Sequence, residues 1–179
     1  MISVIIILLV YISILLFFSL FFSNVNKMSK RNISNITPIE PTLEIKFKNR
    51  KISNGQELPL TLTQTRPTYS FPLEPNKYYS FIIVDPDAPV GFWIHYCLVN
   101  ITTTYPGYQY YVYNGPNPPQ GTGKHRYYCI LYEQSKKTSD RLPISDTRAF
   151  GDYNMFKDLL GVELVAITYK YFVCEYGKN

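Results

Sequence analysis

Cysteine is sparse in this 179-residue chain: there are three, and none of them (Cys97, Cys129, Cys174) stands in a CxxC pair. That spacing excludes a disulfide framework, and with two of the three in apolar runs the expectation is buried free thiols. Histidine is sparser still, with two residues, His95 and His125. They form neither HxH nor HExxH, so no metal-site motif is present and no cofactor is expected. No GxSxG occurs and no cysteine lies in a glycine-rich turn, which removes the usual signs of a nucleophilic enzyme. Alanine is scarce while proline is frequent, at 13 residues, a balance that argues against a helical bundle. Internal repeats are missing. From Ile52 onward 11 basic residues balance 11 acidic ones, so no nucleic-acid partner is expected.

What the chain has in plenty is aromatic residues, 16% of the whole, with 17 tyrosines and 11 phenylalanines. These favour strands over helices, and the length suits one domain that buries roughly 70% of its unfolded surface. Residues 2–23, "ISVIIILLVYISILLFFSLFFS", carry no charge and no proline. A helix of this length spans a hydrocarbon core of about 30 Å, so residues 1–23 are expected to form a transmembrane anchor. A cleaved signal peptide is the rival reading, although the run lacks a basic start and a small-x-small end. Between Lys27 and Lys51 seven basic residues face two acidic ones. Such a flank favours a cytoplasmic domain and attracts anionic lipid. Three sequons, at Asn32, Asn35 and Asn100, keep a luminal or secreted orientation open.

Residues 24–41 read as a polar linker and 42–179 as the folded domain. "TLEIKFK" (42–48) and "LTLTQT" (60–65) alternate apolar and polar residues, the pattern of half-exposed strands, with a turn at "NGQELP" between them. "YYSFIIVD" (78–85), "IHYCLVNIT" (94–102) and "RYYCILYEQ" (126–134) are continuous apolar runs expected to be strands covered on both faces. Residues 105–123 read as a loop rich in Gly, Pro and Tyr. Residues 150–161 carry apolar side chains at helical spacing, with Asp152 near the start and Gly161 at the stop. "VELVAITYKYFV" closes as a strand. The predicted fold is mainly β, a two-sheet antiparallel β-sandwich with one late α-helix.

Titratable groups gather where the inner strands end. "VDPDAP" brings Asp85 and Asp87 to the end of one strand, and Pro86 and Pro89 stiffen that turn. His95 and His125 begin two further strands. A carboxylate beside a histidine can orient its ring, and the glycines of "GPNPPQGTGK" let backbone amides approach a ligand. Together these groups suggest a small anion-binding pocket.

"VDPDAP" (84–89), "FWIHYCLVNI" (92–101) and "YNGPNPPQGTGKHRYYCILYEQ" (113–134) resemble the two signature boxes of the phosphatidylethanolamine-binding protein family, and "LTLTQTRPTYSF" (60–71) resembles the segment before the first. The resemblance runs from about residue 42 to 173. It implies a β-sandwich whose pocket binds phosphate-like anions and phospholipid head groups without catalysis. By motif position it implies that Asp85, Asp87, Trp93, His95, His125 and Tyr127 line the pocket, with Gly115, Pro116 and Pro119 as its wall and Pro86 and Pro89 in the first box. His95 and His125 are expected to donate to a phosphoryl group, and Asp85 and Asp87 to hold donors or a head-group ammonium. The family also modulates kinases and proteases, which makes such an enzyme a candidate partner. Only "VGF" (90–92) separates the first box from Trp93, so that wall is expected to be open or rebuilt. The sequence stops at Asn179, soon after its last strand, so the C-terminal helix of the animal members is expected to be missing.

Overall fold

The computed structural model describes residues 43–139, 147–150 and 153–179. The expected anchor (1–23) and linker (24–41) lie outside them, as does Asp152. Among the described residues no helix is long and apolar enough to cross a membrane.

The apolar runs form strands that assemble into two sheets. The smaller sheet has the order β2 (Arg50–Lys51), β1 (Glu44–Phe47) and β4 (Thr68–Ser70). The larger runs β3 (Gln56–Glu57), β10 (Leu164–Glu175), β8 (Lys124–Gln134), β5 (Tyr78–Asp85), β6 (Phe92–Ile101) and β7 (Tyr108–Tyr111), with β9 (Ala149–Phe150) paired to β6. Every described pairing is antiparallel except that of β10 with β3.

The three long apolar runs are buried on both faces, as their composition suggests. Side chains alternate along a strand, and here both sets find a core. Phe81, Ile83, Tyr96, Leu98, Tyr127, Cys129 and Leu131 point towards the small sheet, where they meet Leu43, Ile45 and Phe47. Ile82, Val84, Ile94, Val99, Tyr128 and Ile130 point the other way and meet Phe156 and Leu160 of α2 (Tyr153–Leu160). Cutting a fully buried ring such as Phe81 or Phe172 to alanine costs about 3–5 kcal/mol. All three cysteines are free and buried.

Four local expectations need correction. "LTLT" forms a one-turn helix, α1 (Leu60–Thr63), after Pro59. Its Leu60 and Leu62 pack against the inter-sheet core, and the Thr63 hydroxyl donates back to Leu60 O at 3.0 Å. A short apolar alternation fits either element, and docking decides between them. The 105–123 loop contains β7, stabilised by its pairing with β6. Part of the "NGQELP" turn becomes β3 by pairing with Phe172 and Val173. Phe150, expected on the late helix, instead lies in β9 opposite Phe92, and α2 starts at Tyr153.

A polar cluster is embedded at the far end of β5, β6 and β8. Gln134 Oε1 accepts from the Ser80 hydroxyl at 2.8 Å and from Asn100 N at 2.8 Å. The Asn100 side chain donates to Thr138 O at 2.9 Å and accepts from Thr138 N at 2.9 Å. With its backbone at φ 60 and 1% of its surface exposed, Asn100 is an internal strut, satisfied as a buried amide must be.

Candidate functional site

Antiparallel pairing determines where the polar residues meet. β5 ends at Asp85, so its two neighbours, β6 and β8, begin beside that end. The start of β6 supplies Trp93 and His95, and the start of β8 supplies His125 and Tyr127. These side chains enclose a cavity of about 360 Å³, completed by Ala88, Pro89 and Val90 on one side and Asn114, Gly115, Asn117, Pro118 and Pro119 on the other. A second cleft of about 400 Å³ lies at the β3–β10 edge, but its lining holds neither histidine nor aspartate. Size alone therefore does not pick out the site.

At the base of the cavity a carboxylate and an imidazole are buried together. His125 Nδ1 lies 2.7 Å from Asp85 Oδ2, while Asp85 Oδ1 accepts from Asp87 N at 2.8 Å. Burial pushes the Asp85 carboxyl above its ordinary range, and the bond to His125 opposes that push. On the other side of the ring, His125 Nε2 is 2.8 Å from Thr122 Oγ1. The Thr122 hydroxyl has a single proton, and Pro119 O lies 2.7 Å from the same Oγ1, so that proton serves either Pro119 O or His125 Nε2. Where it serves Pro119 O, His125 Nε2 carries a proton and donates to Thr122 Oγ1.

His95 is held differently. Its Nδ1 lies 2.6 Å from the carbonyl of Asn114, an acceptor only, so Nδ1 carries the proton. Burial lowers its pKa to about 4, which leaves the ring neutral near pH 7 with a bare Nε2. The expectation that both histidines donate is corrected here: His95 spends its proton on the protein and offers a lone pair instead. The Arg148 guanidinium fastens this corner, donating to Ile94 O at 3.1 Å and to Val112 O at 3.0 Å.

Tyr127 stands edge-on to the His95 ring, with centroids 5.0 Å apart, and stacks on Phe172 at 5.2 Å. Its hydroxyl is buried and has no hydrogen-bond partner among the described residues, and burial raises its pKa. The glycine–proline wall rests on α1: Gln64 Nε2 donates to Pro116 O at 2.9 Å. A Cβ at Gly115 would stand 2.8 Å from Gln64 Oε1 and 3.1 Å from Gln64 Cα, so this close approach needs glycine.

Of the residues singled out in the sequence, Asp85, Pro89, Trp93, His95, Gly115, Pro119, His125 and Tyr127 line the cavity. Pro86, Asp87 and Pro116 do not. Pro86 and Pro116 are buried behind the wall. Asp87 turns away to Arg126, with Oδ2 2.7 Å from Nε and Oδ1 2.7 Å from Nη2. Of the short "VGF" stretch, Val90 lies at the rim and Phe92 is in the core. Asn114, Asn117 and Pro118 went unnamed although they fall inside the second box. Thr122 lies there too, yet nothing local marks it as a partner of His125. Arg148 is far away in the sequence, and no motif points to it. Among the described residues no group of three or more His, Cys, Asp or Glu side chains is placed to hold a metal ion.

Known proteins were compared with the chain as a whole. The sequence profile of the phosphatidylethanolamine-binding protein family matches residues 48–170. A Drosophila melanogaster protein provisionally named odorant-binding protein A5 is 26% identical over 132 residues, 67% of this chain and 63% of its own length. The chain thus spans less than two thirds of that relative. A carboxypeptidase Y inhibitor, solved in complex with its cognate proteinase, superposes with a TM-score of 0.60 at 16% identity, over 74% of this chain and 82% of its own. The phosphatidylethanolamine-binding protein of Plasmodium vivax gives 0.55 at 18%, over 84% and 96%, and that of Plasmodium falciparum 0.57 at 17%, over 79% and 88%. At these identities the solved structures speak for the fold, and the profile carries the relationship. The profile covers both signature boxes and most of the sandwich, and so the chain belongs to the phosphatidylethanolamine-binding protein family.

Proposed function

We propose that the cavity binds phosphate-bearing anions, including phospholipid head groups of the phosphatidylethanolamine type, and holds them without turning them over. The observation that carries this reading is the buried Asp85–His125 pair on the wall of a largely apolar cavity. Buried ionisable pairs cost desolvation energy and gather at functional sites. Here Asp85 fixes the ring of His125 on the cavity lining, and the buried Tyr127 hydroxyl needs a partner. His95 Nε2 adds an acceptor. A zwitterionic phosphoethanolamine fits this set: its phosphoryl oxygens accept from His125 and Tyr127, and its ammonium donates to His95.

The test is a calorimetric titration with phosphorylethanolamine and, separately, with vesicles containing phosphatidylethanolamine. Binding that persists unweakened in a His125→Ala, Asp85→Asn double variant would overturn the reading.

A second reading has the same cavity rim dock a protease or kinase, and the relative solved with a proteinase supports it. Pull-down with and without phosphorylethanolamine separates the two, because competition requires that the partner use the pocket. In either case residues 1–23 would hold the domain at a membrane, with the basic stretch 27–51 facing anionic lipid. Cell fractionation with and without residues 1–23 tests that attachment.

A further inference from the structure

The Thr122 oxygen already sits on the donor that an anion would seek. Thr122 is exposed, yet its Oγ1 lies 2.8 Å from the Nε2 of a buried histidine. With the hydroxyl proton directed to Pro119 O, Oγ1 faces the imidazole as an acceptor, the role of a phosphoryl oxygen, and that arrangement is part of the proposal.

The turn that carries Thr122 is built to let go. Gly121 and Gly123 flank it at φ +81 and +77, and a Cβ on either would meet nothing within 4 Å. No tight packing locks the two flanking positions. Besides its hydroxyl contacts, the turn is tied by Thr122 N donating to Pro119 O at 3.3 Å, a long bond. A neutral hydroxyl is also a weaker acceptor than an anionic oxygen, since charge-assisted bonds are about twice as strong.

We propose that Thr122 is an internal stand-in for the ligand: its hydroxyl occupies the anion position on His125 when the cavity is empty, and an anion binds by displacing it. This rests on the reading of the cavity as an anion site, and it adds a selectivity device to that site. A ligand offering only a neutral hydroxyl exchanges like for like and gains nothing at His125. An anionic oxygen gains the difference, so Thr122 biases the pocket towards charged ligands and lowers the affinity for all of them.

The test uses the domain with Thr122→Val, which keeps the shape and removes the oxygen. Thr122→Ala is a second variant, and Thr122→Ser restores the hydroxyl. Titrations with phosphorylethanolamine and with inorganic phosphate should show Val and Ala binding about 3- to 10-fold tighter than the parent, the range expected for one competing hydrogen bond. Ser should match the parent, and in a His125→Gln background Thr122→Val should have no effect. Nitrogen-15 NMR of the ligand-free imidazole should show a protonated Nε2 whose signal moves in Thr122→Val. Parent binding with unchanged or weaker binding in both Val and Ala overturns the proposal alone, as do coincident Nε2 signals. Absence of binding in parent and variants alike overturns the anion-site reading with it.

Discussion

Asp87 and Arg126 form a two-pronged ion pair, Nε to Oδ2 at 2.7 Å and Nη2 to Oδ1 at 2.7 Å, with Arg126 N adding a third bond to Oδ2 at 3.0 Å. Two residues away Asp85 holds His125. Adjacent strand residues point to opposite faces, so His125 faces the cavity and Arg126 faces away from it, beside the Tyr128 ring. The two aspartates of the first box thus clamp the end of β5 to the start of β8 from both sides. One clamp is in the site, and the other braces it.

The brace is partly exposed, which limits its worth to about 1 kcal/mol. Asp87→Asn and Arg126→Lys should each lower the urea midpoint modestly and together cost less than their sum. Lysine does not replace the planar fork. Phosphate affinity should fall less than threefold in either variant.

Asp85→Asn should act differently. The amide still has an oxygen for Asp87 N, but it meets His125 Nδ1 only as a neutral donor, so the carboxylate's charge-assisted hold on the ring is lost. A stability loss of about 1–3 kcal/mol is expected for that buried deficit, with anion affinity reduced about tenfold or more. Calorimetry on Asp85→Asn beside Asp87→Asn distinguishes site from brace, and equal losses would contradict the assignment.

His95 makes stability pH-dependent. Its folded pKa, about 4, lies below the unfolded value near 6.5, so the unfolded chain binds the extra proton in that interval. Stability from this residue is complete above about pH 6.5 and is lost as pH falls towards 4, by roughly 3 kcal/mol in total. Denaturation midpoints at pH 7.5, 6 and 5 should decline in the parent. The decline should shrink in His95→Gln.

Asn100 should carry no glycan in the folded protein, although Asn100-Ile-Thr is a sequon. Its amide nitrogen is buried and donates to Thr138 O. Mass spectrometry of protein from a secretory host should find Asn100 unmodified, with any glycosidase-sensitive shift abolished by Asn32→Gln and Asn35→Gln. Asn100→Asp should destabilise by about 2 kcal/mol or more, because it sets an acceptor against a carbonyl.

Gly115→Ala should push the proline wall away from Gln64, since the added carbon approaches Gln64 Cα to 3.1 Å. A loss of about 1–3 kcal/mol is expected from such overpacking, with weaker phosphate binding. Adding Gln64→Ala, which clears the side-chain end of the clash, should recover part of the loss in thermal melts.

The strands that matter most were legible because their burial is two-sided. "YYSFIIV" and "RYYCILYEQ" leave no polar face, and only an inner strand with a core on each side accommodates that. The second box was legible as a loop from its glycines and prolines. One-turn α1 and the short strands β3 and β9 were not, because their pairing and docking partners lie far away in the sequence, and β7, though it pairs with the strand just before it, was hidden in a stretch dense in Gly, Pro and Tyr.

What the sequence by itself determined is the set of groups: two aspartates at a strand end, two histidines at strand starts, and a glycine–proline loop between. Chain order and alternation bring these to one end of a sandwich. Only the tertiary structure decided which partners they bond. Asp87 has the spacing of a site residue, but the turn at Pro86 delivers it to Arg126 instead. His95 reads as a donor to a ligand, but its Nδ1–H donates to the Asn114 carbonyl instead. Thr122 reads as part of a turn, but it fills His125. Hydrogen bonds depend on ångström distances between groups that share no local pattern, so their direction appears only once the fold has closed around them.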